Sequence, residues 1–546
     1  MVGWLLRGDI GVSGSLEKVG VVIGTSKPSS FIFVTDEKKH PPLWEYILVR
    51  SVEVVDGKEV MVDVIAQIDE IVTSSMALKG ELSLAAAEKI REAGLVDRNV
   101  IAKARVLGYL YKGKVYQPRK SIFPGTIVYR APRDVLKKFY SYPGEEGIFI
   151  GYLITRQDVP IYISVQGFRR HLAILAQTGA GKSYTAGVLI EELYKKGATI
   201  IILDPHADHV FLSRRPDGKK FADRVTVFRT PESTGRYNEA EIGFVKQYQV
   251  KFSDLSISDI CTVCRISDRW TNIIAIIRDA IQSLKESIGL GYTPNDLISK
   301  LEQLTQEKGK SGDAIRALKY ISRLEKMRVF GDASTNIEEL LKPMHISVVD
   351  LSGLDDEVMD YVAYKILGDI FTIKVRDQYK YPVFVFIEEA HKFAPAEGST
   401  LSKGIIKKIA AEGRKFGIFL VIISQRPYKV DQDVLSQCNS QIIMKLTNMV
   451  DQTAVKNSSE RMSEGLLNDL PGLNVGEAVI VGEITRAPVM VKVRSRETKE
   501  GGADIDVVGV LREARMEAKN EEKIEEENLR ELIRSLKDRV ELPEED

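Results

Sequence analysis

The sequence predicts an α/β protein: a parallel sheet with flanking helices, preceded by a small β-barrel, interrupted by a helical insertion and closed by a charged helix. Three observations predict it. Residues 1–140 are crowded with short runs rich in Val, Ile, Phe and Tyr. From about 145, continuous apolar runs alternate with helical patterns. Between about 253 and 343 no comparable β run occurs. The expected divisions are a barrel over 1–140, a core over 145–252 and 344–500, an insertion over 253–343, and a tail helix over 505–546.

In the first region the strand runs are 19–23, 31–34, 46–49, 60–65, 102–107 and 126–129, most of them separated by Gly, Pro, Asn or Asp. Many short strands at such spacing build a barrel or sandwich. One helical stretch, 83–93, interrupts them and stops at Gly94. The run 171–175 opens the next region, followed by a Gly-rich turn. A helical pattern over 183–196 then ends at Gly197, a C′ glycine. Further apolar runs follow at 198–203, 225–228, 345–351, 383–387, 419–423 and 441–446. Fully apolar strands separated by helices, notably 358–374, mark a parallel sheet buried on both faces. The periodic segments 270–288 and 312–327 make the insertion helical. The tail over 511–546 has 13 acids against 8 bases with periodic Leu and Ile. It reads as a helix, either packed on another subunit or simply solvated.

The chain has 546 residues, room for three or four domains at about 150 residues each. Lys plus Arg and Asp plus Glu are both 77, which excludes a histone-like balance but leaves room for a local basic patch. With 44% apolar and 28% charged residues the composition is globular. The charged fraction and the scarcity of Cys lean towards a thermophile. Three cysteines, Cys261, Cys264 and Cys438, are too few and too odd for a secreted disulfide scaffold. The longest apolar runs, such as 417–423, are too short to cross a bilayer, and the opening MVGWLLRGDIGV lacks a signal-peptide shape. The expectation is a cytoplasmic protein with no membrane partner.

The strongest motif is AQTGAGKS at 176–183, which matches G-x-x-x-x-G-K-[ST] with Ala176 in place of the first Gly. A strand ends at Leu175 and a helix begins near Lys182, the context that a phosphate-binding loop requires. Gly179 and Gly181 let the backbone fold so that its N–H groups converge on phosphate oxygens. The helix N-terminus adds a favourable dipole. Lys182 neutralises phosphate charge, and the Ser183 hydroxyl can ligate Mg²⁺. The nucleotide-binding set is Thr178, Gly179, Ala180, Gly181, Lys182, Ser183 and Tyr184, with ATP and Mg²⁺ as the expected cofactors. The bland alternative, a chance Gly-rich turn, does not explain the flanking strand and helix.

The run 383–387 ends in Glu388 and Glu389. A phosphate-loop ATPase needs one acid for Mg²⁺ and a neighbour for the attacking water. Glu388 is assigned to the metal and Glu389 to catalysis. Alone, two acids at a strand end would be an ordinary exposed edge. The run 418–424 carries Gln425 and Arg426 at its carboxyl end, where ligands bind in open α/β sheets. Gln425 is read as a sensor of the γ-phosphate or water. Arg414 and Arg426 are candidate arginine fingers, with Arg156 a third, although most arginines are surface groups. Residues 401–430 hold seven bases (Lys403, Lys407, Lys408, Arg414, Lys415, Arg426 and Lys429) against one acid, Glu412. The window reads either as a channel for DNA phosphates or as a solvated helix face.

Together these motifs resemble the HerA family, in the FtsK–HerA branch of hexameric P-loop translocases. The carrying segments are AQTGAGKS at 176–183, LDPHADH at 203–209, FVFIEEAHKFAP at 384–395 and GRKFGIFLVIISQRP at 413–427. VGVVIG at 19–24 and GEAVIVGEITRAPVMVKVRSR at 476–496 add to them, so the resemblance covers nearly the whole chain. It implies a RecA-like P-loop ATPase core and an N-terminal barrel of the HAS type. It implies a homohexameric ring that hydrolyses ATP and moves along double-stranded DNA. In archaea such proteins act with a NurA-type nuclease in DNA end resection, alongside the Mre–Rad complex, for recombinational repair, and the barrel typically engages the nuclease. Lys182 and Ser183 carry over as the loop pair, Glu388 and Glu389 as the acidic pair, Gln425 as the sensor and Arg414 as the trans finger. Asp204 and Asp208 carry over only as residues near the site. Where the family often has His-Gly-Glu, this chain has His206-Ala-Asp208, and that acid receives no direct role.

Other signals are set aside. The CxxC at Cys261 and Cys264 has neither a second CxxC nor a nearby His pair, so it reads as helix packing. His206 and His391 lie in site motifs but read equally as braces of the sheet. No Ser-His-Asp order and no nuclease-like acidic cluster stands apart from the ATPase acids. The rival to a DNA translocase is a P-loop hexameric pump or remodeller of another class, acting on protein or on transferred DNA. A protein remodeller would show no DNA-stimulated ATPase. A module using ATP only as a structural switch would not need the acid pair or Gln425.

Overall fold

The computed structural model describes residues 6–7, 16–235, 237–307, 309–459, 461–502 and 507–540. The expectation about the N-terminal dozen residues rests mainly on positions outside these, as does the end of the tail over 541–546. The chain divides into two compact units, Met1–Glu500 and Gly501–Asp546.

In the first unit, six antiparallel strands close into a barrel: Lys18–Lys27, Ser30–Thr35, Tyr46–Val55, Lys58–Ser74, Asn99–Tyr111 and Ile127–Arg130. Closure comes from the pairing of Lys58–Ser74 with Asn99–Tyr111, which leaves no open edge between the first and last barrel strands. Alternating inward residues such as Phe31, Phe33, Val49, Val64, Ala104 and Val128 fill the interior. The predicted helix is Leu84–Glu92, capped by Ser83, and buries none of its side chains.

The second sheet has twelve strands. Eight are parallel neighbours, in the order Ser440–Ile443, Leu172–Leu175, Ile418–Ser424, Val383–Ile387, Thr199–Asp204, His345–Asp350, Val225–Arg229 and Phe244–Gln247. Their side chains alternate between two cores. Ile201, Leu203, Val385, Ile387, Leu420 and Ile422 face one side; Ile200, Ile202, Phe384, Phe386, Val421 and Ile423 face the other. Burial on both faces is why these strands read as unbroken apolar runs.

Four antiparallel strands extend one edge: Glu477–Gly482, Val489–Val493, Gly147–Leu153 and Pro160–Ser164. The sequence reading, a parallel sheet, is therefore right for the centre and incomplete at this edge. Sequence-distant segments pair there, Val491 opposite Leu153, and an apolar run such as 148–154 does not by itself reveal the direction or the partner of its pairing.

Residues 253–343 are mainly helical, with Ile257–Val263, Thr271–Ser287, Pro294–Leu304 and Ser311–Ile321 packed on the same core as Leu203 and Ile387. One two-residue strand, Phe330–Gly331, pairs with Val250–Lys251. Cys261 and Cys264 are buried there, and burial pushes the Cys264 thiol up to about 12. At the joint between barrel and core, Arg105 donates to Gln67 Oε1 of the barrel at 2.9 Å and to Ser463 Oγ of the core at 3.3 Å. No helix among the described residues is long and apolar enough to cross a membrane. The second unit is the helix Val507–Val540, whose side chains over 511–536 are exposed.

Candidate functional site

Four neighbouring parallel strands, Leu172–Leu175, Ile418–Ser424, Val383–Ile387 and Thr199–Asp204, run in one direction, so their carboxyl ends share one edge. The candidate residues follow from those ends: the glycine loop after Leu175, Gln425 after Ser424, Glu388 after Ile387, and Asp204 at the end of its strand. This is the edge at which open α/β sheets bind ligands.

The loop itself is tied down on both sides. Ala176 N donates to Ser424 O at 3.3 Å, Gln177 N to Lys445 O at 3.0 Å, and Gly476 N to Ala180 O at 3.0 Å. Ala176 is fully buried, so its methyl packs at the start of the loop, away from the space where phosphate would lie. Gly179 and Gly181 have φ of 75° and 101°, which a side chain would strain. A Cβ added at Gly179 would meet nothing within 4 Å, so the loop opens onto free space there. Lys182 begins the helix Lys182–Lys195.

Lys182 Nζ is buried and lies 2.8 Å from Glu388 Oε2 and 3.0 Å from Glu389 Oε1. Burial alone would discharge the ammonium, but the two carboxylates hold its pKa above the ordinary lysine value. Burial likewise works against the Glu388 charge, yet Lys182 and a 2.8 Å hydrogen bond from His209 Nε2 bring that carboxyl down to about 2. Ser183 Oγ donates to Asp208 Oδ2 at 2.7 Å.

Glu389 has φ of 48°, a left-handed conformation at the strand end. The chain turns there, and that turn lets two consecutive acids face one lysine despite strand alternation. Glu389 Oε1 accepts from Gln425 Nε2 at 2.9 Å, and Gln425 Oε1 accepts from Thr178 Oγ1 at 2.6 Å. His391 Nδ1 stands 3.3 Å from both Glu389 Oε2 and Ser424 Oγ. Tyr184 faces away from this cluster: its hydroxyl accepts from Arg496 N at 2.7 Å.

Beyond Asp204 the chain folds back in a tight turn. The fully buried Asp204 carboxyl accepts from Asp208 N at 3.1 Å and from His209 N at 2.8 Å, and Ala207 has φ of 59°. Burial pushes Asp204 up to about 7, and Asp208 adds to the rise. The contacts of Asp208 with Ser183 and of His209 with Glu388 were not foreseen. The LDPHADH segment signals the turn, but its direction depends on the left-handed Ala207.

The arginines separate. Arg426 is exposed at the carboxyl edge, its N donating to Ser424 Oγ at 3.1 Å. Arg414 is exposed at the amino edge of the same strand, Ile418–Ser424, about 20 Å away by strand rise. There it lines a cavity of about 660 Å³ with Arg169, Arg170, Lys415, Arg461 and Arg486. Arg156 is engaged at the barrel joint, with Asp158 Oδ1 at 3.1 Å and Ala131 O at 3.2 Å. The basic window over 401–430 is thus not one surface. Lys403 and Lys407 pair with Asp431, and Lys407 also pairs with Asp433; Lys408 lies over the Phe371 ring.

Ser183 Oγ and Glu388 Oε2 are hard oxygen donors, the set that suits Mg²⁺ shared with nucleotide phosphates. An unclosed glycine loop, with its lysine ion-paired to two acids at the end of the next strand but one, is a device for binding and cleaving nucleoside triphosphates. The chain is a P-loop ATPase. Residues 148–370 match the model of the family described as Helicase HerA, central domain. The chain is 32% identical over 521 residues to the Probable helicase MJ1565 of Methanocaldococcus jannaschii, covering 90% of this chain and 93% of that protein. It is 31% identical to the DNA double-strand break repair helicase HerA of Saccharolobus solfataricus, over 71% of this chain and 76% of that one. Against the Pyrococcus furiosus protein of the same description the identity is 29%, over 89% and 94%. The chain belongs to the HerA helicase family and is an ATP-hydrolysing enzyme.

Proposed function

We propose that the chain is an ATP-driven translocase on double-stranded DNA, assembled as a homohexamer and acting in double-strand break repair. In the finer reading it serves DNA end resection with a NurA-type nuclease, alongside the Mre–Rad complex, in the cytoplasm. The observation that carries the motor reading is the placement of Arg414. It lies on the amino edge of a strand whose carboxyl edge carries Gln425, too far to act in its own site, which supports a role in the site of another subunit. The relatives described as double-strand break repair helicases support DNA as the track.

The residues divide the work as follows. Lys182 leaves its two carboxylates and takes the β- and γ-phosphates of ATP. Thr178 to Ser183 cradle those phosphates through their backbone. Ser183 and Glu388 would hold Mg²⁺, which would supply positive charge against the phosphate oxygens. Glu389, freed of Lys182, accepts the proton of the attacking water. Gln425 keeps that carboxylate aimed through its 2.9 Å hydrogen bond. Arg414 of one subunit meets the charge developing in its neighbour's site, and Arg426 steadies the same edge from within. Tyr184, on the first turn of the loop's helix, supports the loop from behind.

A strand-bound triplex on linear duplex DNA reports movement. The chain should displace it with ATP and Mg²⁺, and a NurA-type nuclease should bind the chain and raise the rate. Displacement that ignores ATP would defeat the motor reading; displacement unaffected by the nuclease would defeat the resection partnership alone.

A further inference from the structure

We propose that His209 is a positioning residue for the metal-binding carboxylate, so that the turn 204–209 sets the Mg²⁺ requirement of the site. The proposal rests on the reading of Lys182, Ser183 and Glu388 given above.

His209 is fully buried. Its Nε2 is 2.8 Å from Glu388 Oε1, and its Nδ1 has no hydrogen-bond partner among the described residues. An ionised carboxylate can only accept, so Nε2 carries the proton and donates it. Among the described residues the ring's one polar contact is therefore to Glu388. A buried imidazole with one nitrogen unpaired is a poor choice for packing, where Phe or Leu would serve without that cost. What His209 supplies that they cannot is a fixed donor.

The two oxygens of Glu388 have different partners. Oε1 is held by His209, and Oε2 by Lys182 at 2.8 Å. When Lys182 moves to phosphate, Oε2 is released on the side where Ser183 stands. Oε1 keeps its donor, so the carboxylate cannot swing freely at the moment it is needed as a ligand. The turn makes His209 rigid enough for this. Its N donates to Asp204 Oδ2 at 2.8 Å, and the neighbouring Asp208 N donates to Asp204 Oδ1 at 3.1 Å. The same turn brings Asp208 to accept the Ser183 hydroxyl proton at 2.7 Å, leaving lone pairs of Oγ for the metal. Residues that orient metal ligands typically change metal affinity or activity by about 10- to 100-fold when removed.

The test uses the full chain and two readouts. One is the Mg²⁺ concentration that half-saturates ATP hydrolysis. The other is the Mg²⁺ dependence of fluorescent ADP binding, which needs no turnover. His209→Phe should raise both by about 10-fold or more, while ADP affinity measured in EDTA stays within about twofold. His209→Gln, which keeps an N–H donor, should lie nearer to the unmutated chain. If His209→Phe does not fold, His209→Met against His209→Gln repeats the comparison at matched length: Met must shift the Mg²⁺ requirement and Gln must not. An unchanged Mg²⁺ requirement in the donor-free variants, or an equal loss of metal-free affinity, overturns the proposal. Lys182→Ala separates the two levels. If it binds ADP normally, the site reading itself fails; if it loses ADP while the His209 variants are silent, only the positioning role fails.

Discussion

Lys182 Nζ and Glu388 Oε2 form a buried ion pair at 2.8 Å, between the first residue of the loop's helix and the end of the strand Val383–Ile387, which Ile418–Ser424 separates from the loop's own strand. Removing one partner leaves the other charge buried and uncompensated.

Lys182→Ala should therefore do two things. Without nucleotide it should destabilise the core by about 3–5 kcal/mol at neutral pH, reduced by any water that enters. With nucleotide it should abolish the stabilisation that ATP gives the unmutated chain, since that linkage requires binding. Thermal melting with and without ATP checks both. A variant still raised in Tm by ATP would contradict the assignment.

Glu389→Gln should leave ATP affinity within a few-fold and cut turnover by about 10²- to 10⁴-fold, the usual worth of a positioned base. Nucleotide binding and steady-state hydrolysis are measured on the same preparation. Sustained hydrolysis would remove Glu389 from the chemistry.

The acid limb of stability has a definite sign. Glu388 is held at about 2 in the folded chain, below its ordinary 4.5. A depressed carboxyl contributes stability that is present above the unfolded value and is lost as pH falls through the folded one. Stability should thus fall between about pH 5 and pH 2. Glu388→Gln, which cannot titrate, should flatten that limb. Equal slopes for the two proteins in acid unfolding would place the effect elsewhere.

Arg414 should act across subunits. Arg414→Ala should bind ATP and lose about 10³- to 10⁵-fold in turnover. Mixing it with Lys182→Ala should restore activity, because the Lys182→Ala subunit offers an intact Arg414 to a neighbour with an intact loop. Mixed assemblies that stay inactive, with subunit exchange shown independently, would contradict a trans role.

How far the sequence reaches depends on where each signal lives. Strands buried on both faces, such as Val383–Ile387 and Thr199–Asp204, declare themselves as apolar runs, and the glycine loop declares itself by spacing. Lys182, Ser183, Glu388, Glu389 and Gln425 all fall at one sheet edge because the order of parallel strands puts them there. The contacts of Asp208 and His209 were out of reach, since they depend on a turn whose direction one left-handed residue, Ala207, decides. The basic window over 401–430 looked like one patch because it is short in sequence. A seven-residue strand divides it, and Asp431 and Asp433 beyond its end neutralise Lys403 and Lys407.

The most direct measurement is the steady-state ATPase rate with and without linear duplex DNA, for the unmutated chain and for Glu389→Gln. The basal rate should rise on adding DNA, and the variant should stay about 10²- to 10⁴-fold lower in both arms. A rate indifferent to duplex DNA would contradict the translocase reading and turn attention to protein substrates.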